Sequence, residues 1–143
     1  HRVTVVREFA PDVPMIHADR QQVRQVFLNL LTNASDAMPQ GGTLTLRAAV
    51  GTLDAGTPAV VIEFADTGVG IAPADLPKVM EPFFTTKPEG RGTGLGLPIC
   101  RRIVQEHQGT LDIASELGSG TRVRITLPLK NGTNGAYLQG TVE

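Results

Sequence analysis

The chain has no tryptophan, one tyrosine and one cysteine, and aromatic residues make up 4% of its 143 positions. Its core must therefore be mainly aliphatic. With Cys100 alone, an internal disulfide is excluded, no CxxC pair can exist, and a reducing compartment fits. No apolar run approaches the roughly 18 residues of a membrane-spanning helix, and no signal peptide is visible. Neither sign of charge is in excess: the formal net charge is -1, which gives no general attraction to nucleic acid or to an anionic membrane. The histidines, His1, His17 and His107, show no metal-ligand spacing and no Ser-His-Asp signature. His17 falls in a strand-like stretch, and His107 falls where a positive charge would suit a helix C-terminus.

What remains is a chain 41% apolar, long enough for one domain that buries about two-thirds of its unfolded surface. It opens at His1 inside a strand-like run and reads as a piece of something longer. The expectation is a cytoplasmic, monomeric domain, with membrane anchoring of the parent left open.

Val3 to Phe9 reads as a strand and Met15-Ile16-His17 as a short extended piece after Pro14. Asp19 has the position of an N-cap, with Gln22 three residues on as in a capping box. Behind it Val23, Val26, Phe27, Leu30, Leu31 and Ala34 recur at helical spacing until Pro39-Gln40-Gly41-Gly42 stops the helix. Leu44, Leu46, Ala48 and Val50 alternate as a half-buried strand, and Val60 to Ala65 is apolar enough for a central one. From Ile71 to Gly94 the pattern is irregular, with Pro73, Pro77, Pro82 and Pro88 and one short helical stretch near Leu76 to Met80. A connection of that length in a compact domain is usually functional or mobile.

Leu95 to Gln108 then reads as a helix with Pro98 in its first turn, Ile99, Cys100, Ile103 and Val104 on its apolar side, and Gly109 as its stop. Two strands, Thr110 to Ser115 and Thr121 to Leu129, flank the turn Glu116 to Gly120. The elements suit a two-layer α/β sandwich, a mixed sheet of about five strands covered on one face by three helices. Residues 1–130 form the domain on this reading, and 131–143 a flexible C-terminal tail.

Two glycine boxes carry the chemistry. Asp66-Thr67-Gly68-Val69-Gly70 puts a carboxylate at a strand end, beside glycines that allow close backbone approach. That carboxylate can accept a hydrogen bond from the exocyclic amine of adenine, or can simply close an Asx-turn. Gly92-Thr93-Gly94-Leu95-Gly96-Leu97 offers a run of backbone N–H groups opening into a helix, which suits phosphate. Asn29 and Asn33 are four apart and share a helix face bordering the apolar stripe. Their amide oxygens can hold Mg²⁺ and phosphate oxygens without adding negative charge, or can be solvated surface groups. Phe83, Phe84 and Lys87 lie in the irregular segment. Lys87, and more weakly Arg91, are point charges suited to terminal phosphates. Gly118 and Gly120 make a hairpin turn, and Thr121 beyond them is placed to help bind the base.

The order of these motifs resembles the sensor histidine kinases. Asn29-Leu-Leu-Thr-Asn33-Ala-Ser-Asp-Ala is similar to their N box, and Asp66-Thr-Gly68-Val-Gly70 to their first glycine box. Glu81-Pro-Phe83-Phe84-Thr-Thr-Lys87 resembles the F box, Gly92 to Leu97 the second glycine box, and Gly118-Ser-Gly120-Thr121 the last. The resemblance covers roughly residues 3 to 129, and Thr85-Thr86-Lys87 looks most like kinases of the nitrogen-regulation type. It implies the Bergerat ATP-binding fold shared with gyrase, heat-shock chaperones and mismatch-repair ATPases. It also implies Asp66 at adenine, Asn33 on Mg²⁺ with Asn29 assisting, and residues 71–94 as an ATP lid. The implied reaction is transfer of the ATP γ-phosphoryl group to a histidine on a separate dimerisation domain, with a response regulator downstream. The phosphoacceptor motif itself is absent, since Arg2-Val3-Thr4 after His1 does not match it.

The rival enzyme is an ATPase of the gyrase and chaperone type, which resembles this chain but carries an acidic base one turn before the Mg-binding Asn. Here that position is Asn29, whose amide cannot take up a proton at neutral pH. The non-enzyme rival is a degenerate module that only binds nucleotide or protein, and the filled motif positions argue against it.

Overall fold

The computed structural model describes residues 2–11, 13–14, 16, 18–81 and 96–129. Five strands form one sheet in the order β1-β2-β3-β5-β4: β1 Val3–Phe9, β2 Gly42–Thr52, β3 Pro58–Asp66, β4 Thr110–Glu116 and β5 Gly120–Pro128. β1 runs parallel to β2, and every other pairing is antiparallel. The parallel pair needs a crossover, supplied by helix α1, Arg20–Asp36. Helix α2, Gly96–Glu106, begins within the second glycine box and packs over β4 and β5 while α1 lies over β3.

The register explains which residues become core. Val60, Ile62 and Phe64 of β3 stand opposite Leu127, Ile125 and Val123 of β5, all six buried beneath the helices. From above, Val23, Val26, Leu30 and Ala34 of α1 and Cys100, Ile103 and Val104 of α2 close the same core. Phe27 meets Phe64 edge to face with centroids 5.2 Å apart, a favoured aromatic geometry that ties α1 to the central strand. Ile16, between β1 and α1, is also fully buried.

Cys100 is wholly buried, and its thiol points at the Val26 carbonyl of α1 at 3.7 Å. Burial pushes its pKa up to about 11, so it behaves as a small core residue and not as a nucleophile.

On the open face of the sheet Glu63 is buried, an exception among the otherwise apolar buried residues of β3. It sits between two arginines of neighbouring strands, Arg47 at 2.8 Å and Arg124 at 3.0 Å, and Arg47 reaches on to Glu8 of β1 at 2.8 Å. This chain of charges crosses β1, β2, β3 and β5. Burial pushes the Glu63 carboxyl up, but hydrogen bonds from Arg124 and Arg47 outweigh it and hold it below the usual range.

Two expectations are corrected, and a third is left without a test. The described residues hold two α-helices, not three: Leu76–Lys78 forms only a 3-10 turn, a stretch kept short by Pro82 in the sequence, which disfavours helical backbone at the residue before it. Met15 and His17 of the proposed extended piece lie outside the described residues. The end of α2 is made by Gln108, not Gly109. Gln108 takes the left-handed conformation at φ 61°, its N–H bonds to the Gln105 carbonyl, and the N–H of Gly109 closes back on Val104 at 2.9 Å. That is a Schellman arrangement displaced by one residue from the glycine. Gly109 serves another purpose, since any side chain there would run into the Thr126 carbonyl of β5.

Candidate nucleotide site

Asp66 ends β3 in the middle of the sheet, paired with Leu44 on one side and Thr121 on the other. Its Oδ1 accepts the N–H of Gly68 at 2.9 Å and that of Thr121 at 3.3 Å. The first of these is the Asx-turn that the sequence left as the alternative, and it is compatible with ligand binding. Both bonds go to one oxygen, and they fix the plane of the carboxylate. Burial raises its pKa above the ordinary carboxylate value, with the two N–H groups opposing the shift.

The chain then turns through contacts that tolerate no side chain. Val69 N–H bonds to the Ala37 carbonyl at the end of α1 at 2.9 Å. At Gly68 a Cβ would strike that same carbonyl. The first glycine box is thus clamped to the C-terminal cap of the helix bearing the asparagines. From the other side, Gly118 N–H donates to the Val69 carbonyl at 2.7 Å. Gly120, at φ 129°, lies so close to Asp66 that a Cβ would collide with its carbonyl oxygen. Gly70, a further expected binding residue, follows at φ 76° and leads into Ile71.

Asp19 caps α1 as expected, its side chain accepting the Gln22 N–H at 3.0 Å. Asn29 and Asn33 are half-buried on that helix. Asn29 is held by two partners: Gln25 donates to its Oδ1 at 3.1 Å, and its Nδ2 donates to the Gly96 carbonyl at 3.4 Å. The Asn33 amide faces the same Gly96, where a Cβ would sit 3.5 Å from Nδ2 and 3.6 Å from Oδ1. The structure therefore brings both asparagines to the beginning of α2, where Gly96 and Leu97 open the helix. Phe83, Phe84, Lys87, Arg91, Gly92, Thr93, Gly94 and Leu95 lie outside the described residues.

A magnesium ion fits this donor set. Asn33 supplies a neutral oxygen-bearing amide beside a helix start, and Mg²⁺ is usually held by one or two side chains plus substrate phosphates and water. Among the described residues no group of three His, Cys, Asp or Glu forms a protein-only cage.

His107 does not carry out the electrostatic task expected of it. Its Nδ1 lies 2.8 Å from the Ile103 carbonyl, and its Nε2 accepts the backbone N–H of Asp19 at 3.1 Å. A ring that accepts at Nε2 and donates at Nδ1 is neutral. His107 therefore joins the end of α2 to the N-cap of α1 rather than answering the helix dipole.

Two residues of the site were missed from the sequence. Thr67, inside the first box, exchanges hydrogen bonds with Thr43 of β2: its N–H to the Thr43 carbonyl at 3.1 Å, and Thr43 N–H to its Oγ1 at 3.0 Å. Ser115 contacts Thr121, Gly120 and Ile71. Its signal was present in the alternation of β4, where a hydroxyl stands on the face shared by Leu111 and Ile113.

Comparison with known proteins places the chain in a family. Residues 18–131 match the family described as histidine kinase-, DNA gyrase B-, and HSP90-like ATPase. Sporulation kinase C of Bacillus subtilis is 44% identical over 117 residues, covering 82% of this chain and 26% of that protein. Sensor histidine kinase ZraS of Salmonella typhi is 40% identical over 114 residues, covering 80% of this chain and 23% of its own length. Among solved structures, the nucleotide-free catalytic domain of histidine kinase ThkA superposes with a TM-score of 0.72 at 31% identity, covering 88% of this chain and 80% of that one. Full-length ShkA, solved in complex with AMPPNP, superposes with a TM-score of 0.73 at 31% identity, covering 88% of this chain and 25% of that one. The chain belongs to the histidine kinase-, DNA gyrase B- and HSP90-like ATPase family, and within it is the catalytic ATP-binding domain of a two-component sensor histidine kinase. It spans about a quarter of the length of such curated relatives as Sporulation kinase C and ZraS. Among the described residues no helix is long and apolar enough to cross a membrane.

Proposed function

We propose that this domain binds Mg-ATP and transfers its γ-phosphoryl group to a histidine on a separate dimerisation domain of the same kinase, from which a response regulator is then phosphorylated. The observation that carries the reading is Asn29. It occupies the place of a hydrolytic base, yet it is an amide bonded to Gln25 and to the Gly96 carbonyl. Such a group orients but cannot activate water. Transfer to a delivered imidazole needs mainly positioning and charge stabilisation. The bond between the γ-phosphorus and the β–γ bridging oxygen breaks, a phosphorus–nitrogen bond forms, and ADP leaves.

In this scheme Asp66 accepts the adenine amine, with Gly68, Gly70 and Thr121 shaping the base pocket. Asn33, assisted by Asn29, holds Mg²⁺, whose chemistry is to neutralise charge on the phosphate oxygens. Gly92, Thr93, Gly94, Leu95, Gly96 and Leu97 give backbone N–H groups to the phosphates, Lys87 a positive charge, and Phe84 an apolar contact. Those assignments between 82 and 95 rest on the motif resemblance, as does the placement with kinases of the nitrogen-regulation type. The complex of ShkA with AMPPNP, a structure similar to this chain, supports adenine nucleotide binding. Residues 1–130 are the domain and 131–143 a tail outside it. The domain acts on the cytoplasmic side as a monomer without nucleic acid, and the parent's attachment to a membrane is a separate matter.

The test supplies a purified dimerisation domain and γ-labelled ATP. Acid-labile, base-stable label on that domain, lost in Asn33→Ala, is the expected result. Phosphate release at the same rate with and without the acceptor, and no labelled protein, would assign the chain to the hydrolases instead.

A further inference from the structure

Strand β4 sends alternate residues toward the helix-covered face, where Leu111 and Ile113 pack against the core and Ser115 follows. Packing alone does not call for a hydroxyl in that series. The Ser115 Oγ sits among three polar groups: the Ile71 N–H at 2.8 Å, the Gly120 carbonyl at 2.9 Å and the Thr121 hydroxyl at 2.8 Å. A serine hydroxyl has one proton to give and two lone pairs to fill. The carbonyl of Gly120 can only accept, so it takes the proton. The N–H of Ile71 fills one lone pair, and the proton of Thr121 fills the other.

The consequence falls on Thr121. With its proton turned inward to Ser115, this hydroxyl presents only lone pairs on its remaining side. Asp66, paired with Thr121 across the β3–β5 ladder, is likewise acceptor-only when ionised. A strand end lined by two acceptors favours a ligand edge that carries a donor, and repels one that carries a carbonyl oxygen.

We propose that Ser115 is a positioning residue which fixes the direction of the Thr121 proton and thereby sets the preference for a purine bearing an amino group at its six-position over one bearing a carbonyl. This rests on the reading of Asp66 and Thr121 as the base-binding pair.

The test is calorimetric titration of the 143-residue chain with Mg-ATP and with Mg-ITP, which differ at that position of the base. Wild type favours ATP. In Ser115→Ala the Thr121 hydroxyl is free to rotate and donate, and the ATP-to-ITP affinity ratio narrows roughly tenfold, the scale of one hydrogen bond. Ser115→Thr keeps the hydroxyl and restores the ratio. Thr121→Val narrows it as Ser115→Ala does, and the double variant narrows it no further, as expected of two residues acting through one bond.

Equal loss of both affinities in Ser115→Ala, with the ratio unchanged, overturns the proposal. That is what loosened anchorage of Ile71 and Gly120 alone would produce. A wild-type chain that does not distinguish the two nucleotides overturns the base-binding reading and the proposal together. Thr121→Val keeps the question open to measurement should Ser115→Ala fail to fold, and a Thr121→Val ratio equal to wild type is then the overturning result.

Discussion

The backbone N–H of Asp19 donates to Nε2 of His107, 88 positions away, and so fastens the N-cap of α1 to the last turn of α2. Those helices carry the residues proposed to hold the phosphates, Asn29 and Asn33 on one and Gly96 on the other. The Asn29 to Gly96 bond ties the start of α2 to the middle of α1. α2 is thus pinned to α1 at both of its own ends.

His107→Ala removes the first pin. The expected loss is about 1 kcal/mol, the net worth of an ordinary hydrogen bond at a partly exposed position. Urea denaturation at neutral pH measures it. An unchanged midpoint would show that the contact does not hold the helices together.

Asp66→Asn separates binding from stability. Because the folded carboxyl has a raised pKa, the folded chain holds this proton more tightly than the unfolded chain. Its contribution to stability is present below the unfolded pKa and is lost as pH rises through the folded value. At neutral pH the ionised group therefore opposes folding. Asparagine keeps an oxygen for Gly68 and Thr121, so the variant should melt at or above the wild-type temperature while ATP binding weakens roughly 10- to 100-fold. In the wild type, ATP affinity should fall on acidification at a pH above the ordinary carboxylate range. Differential scanning fluorimetry and a calorimetric pH series check the two halves. A variant that melts lower but binds ATP normally contradicts both.

Glu63→Gln tests the charge chain on the open face. The lowered Glu63 pKa means that its stabilisation is present above the unfolded value and lost as pH falls through the folded one. Arg47 and Arg124 are about half exposed, with side chains 47% and 53% accessible, so solvent screens the pair. The substitution should lose about 1 kcal/mol at pH 7, and the loss should vanish in strong acid, where the wild-type carboxyl is itself protonated. Denaturation curves that stay parallel down to low pH would disprove the linkage.

Gln108→Gly should stabilise the chain. A side chain in the left-handed region is strained by roughly 1–2 kcal/mol, and glycine relieves this while adding some unfolded-state entropy. The net gain expected is about 0.5–1 kcal/mol, read as a higher urea midpoint with an unchanged slope.

Much of this was legible in the sequence for reasons that can be named. α1 announced itself through Asp19, Gln22 and an apolar stripe of helical period. β3 did so through an apolar run long enough for a strand covered by neighbours on both edges. The glycine boxes were legible because close backbone approach leaves no alternative to glycine at Gly68 and Gly120. The third helix failed because apolar residues near Leu76 have the right spacing for a helix, while Pro82 leaves the stretch too short to propagate beyond a 3-10 turn. The stop of α2 was placed one residue late because Gly109 is required by β5, not by the helix. Ser115 was passed over because its meaning lies in partners at 71 and 121, which only the register of β4 against β5 brings together.

That register has a kinetic side. β4 meets β5 across a short turn, whereas Val3 of β1 pairs with Gly42 only after α1 has been traversed. β1 is also an edge strand, like β4, and it is largely exposed, with its pairing on the far side of β2 from Asp66. Its amides should be the first of the sheet to exchange with deuterium, opening as a unit of low free energy. Such an opening leaves the Asp66–Thr121 pairing and both glycine clamps closed. The domain can therefore breathe at its first strand while the Asp66 end of β3 stays shut.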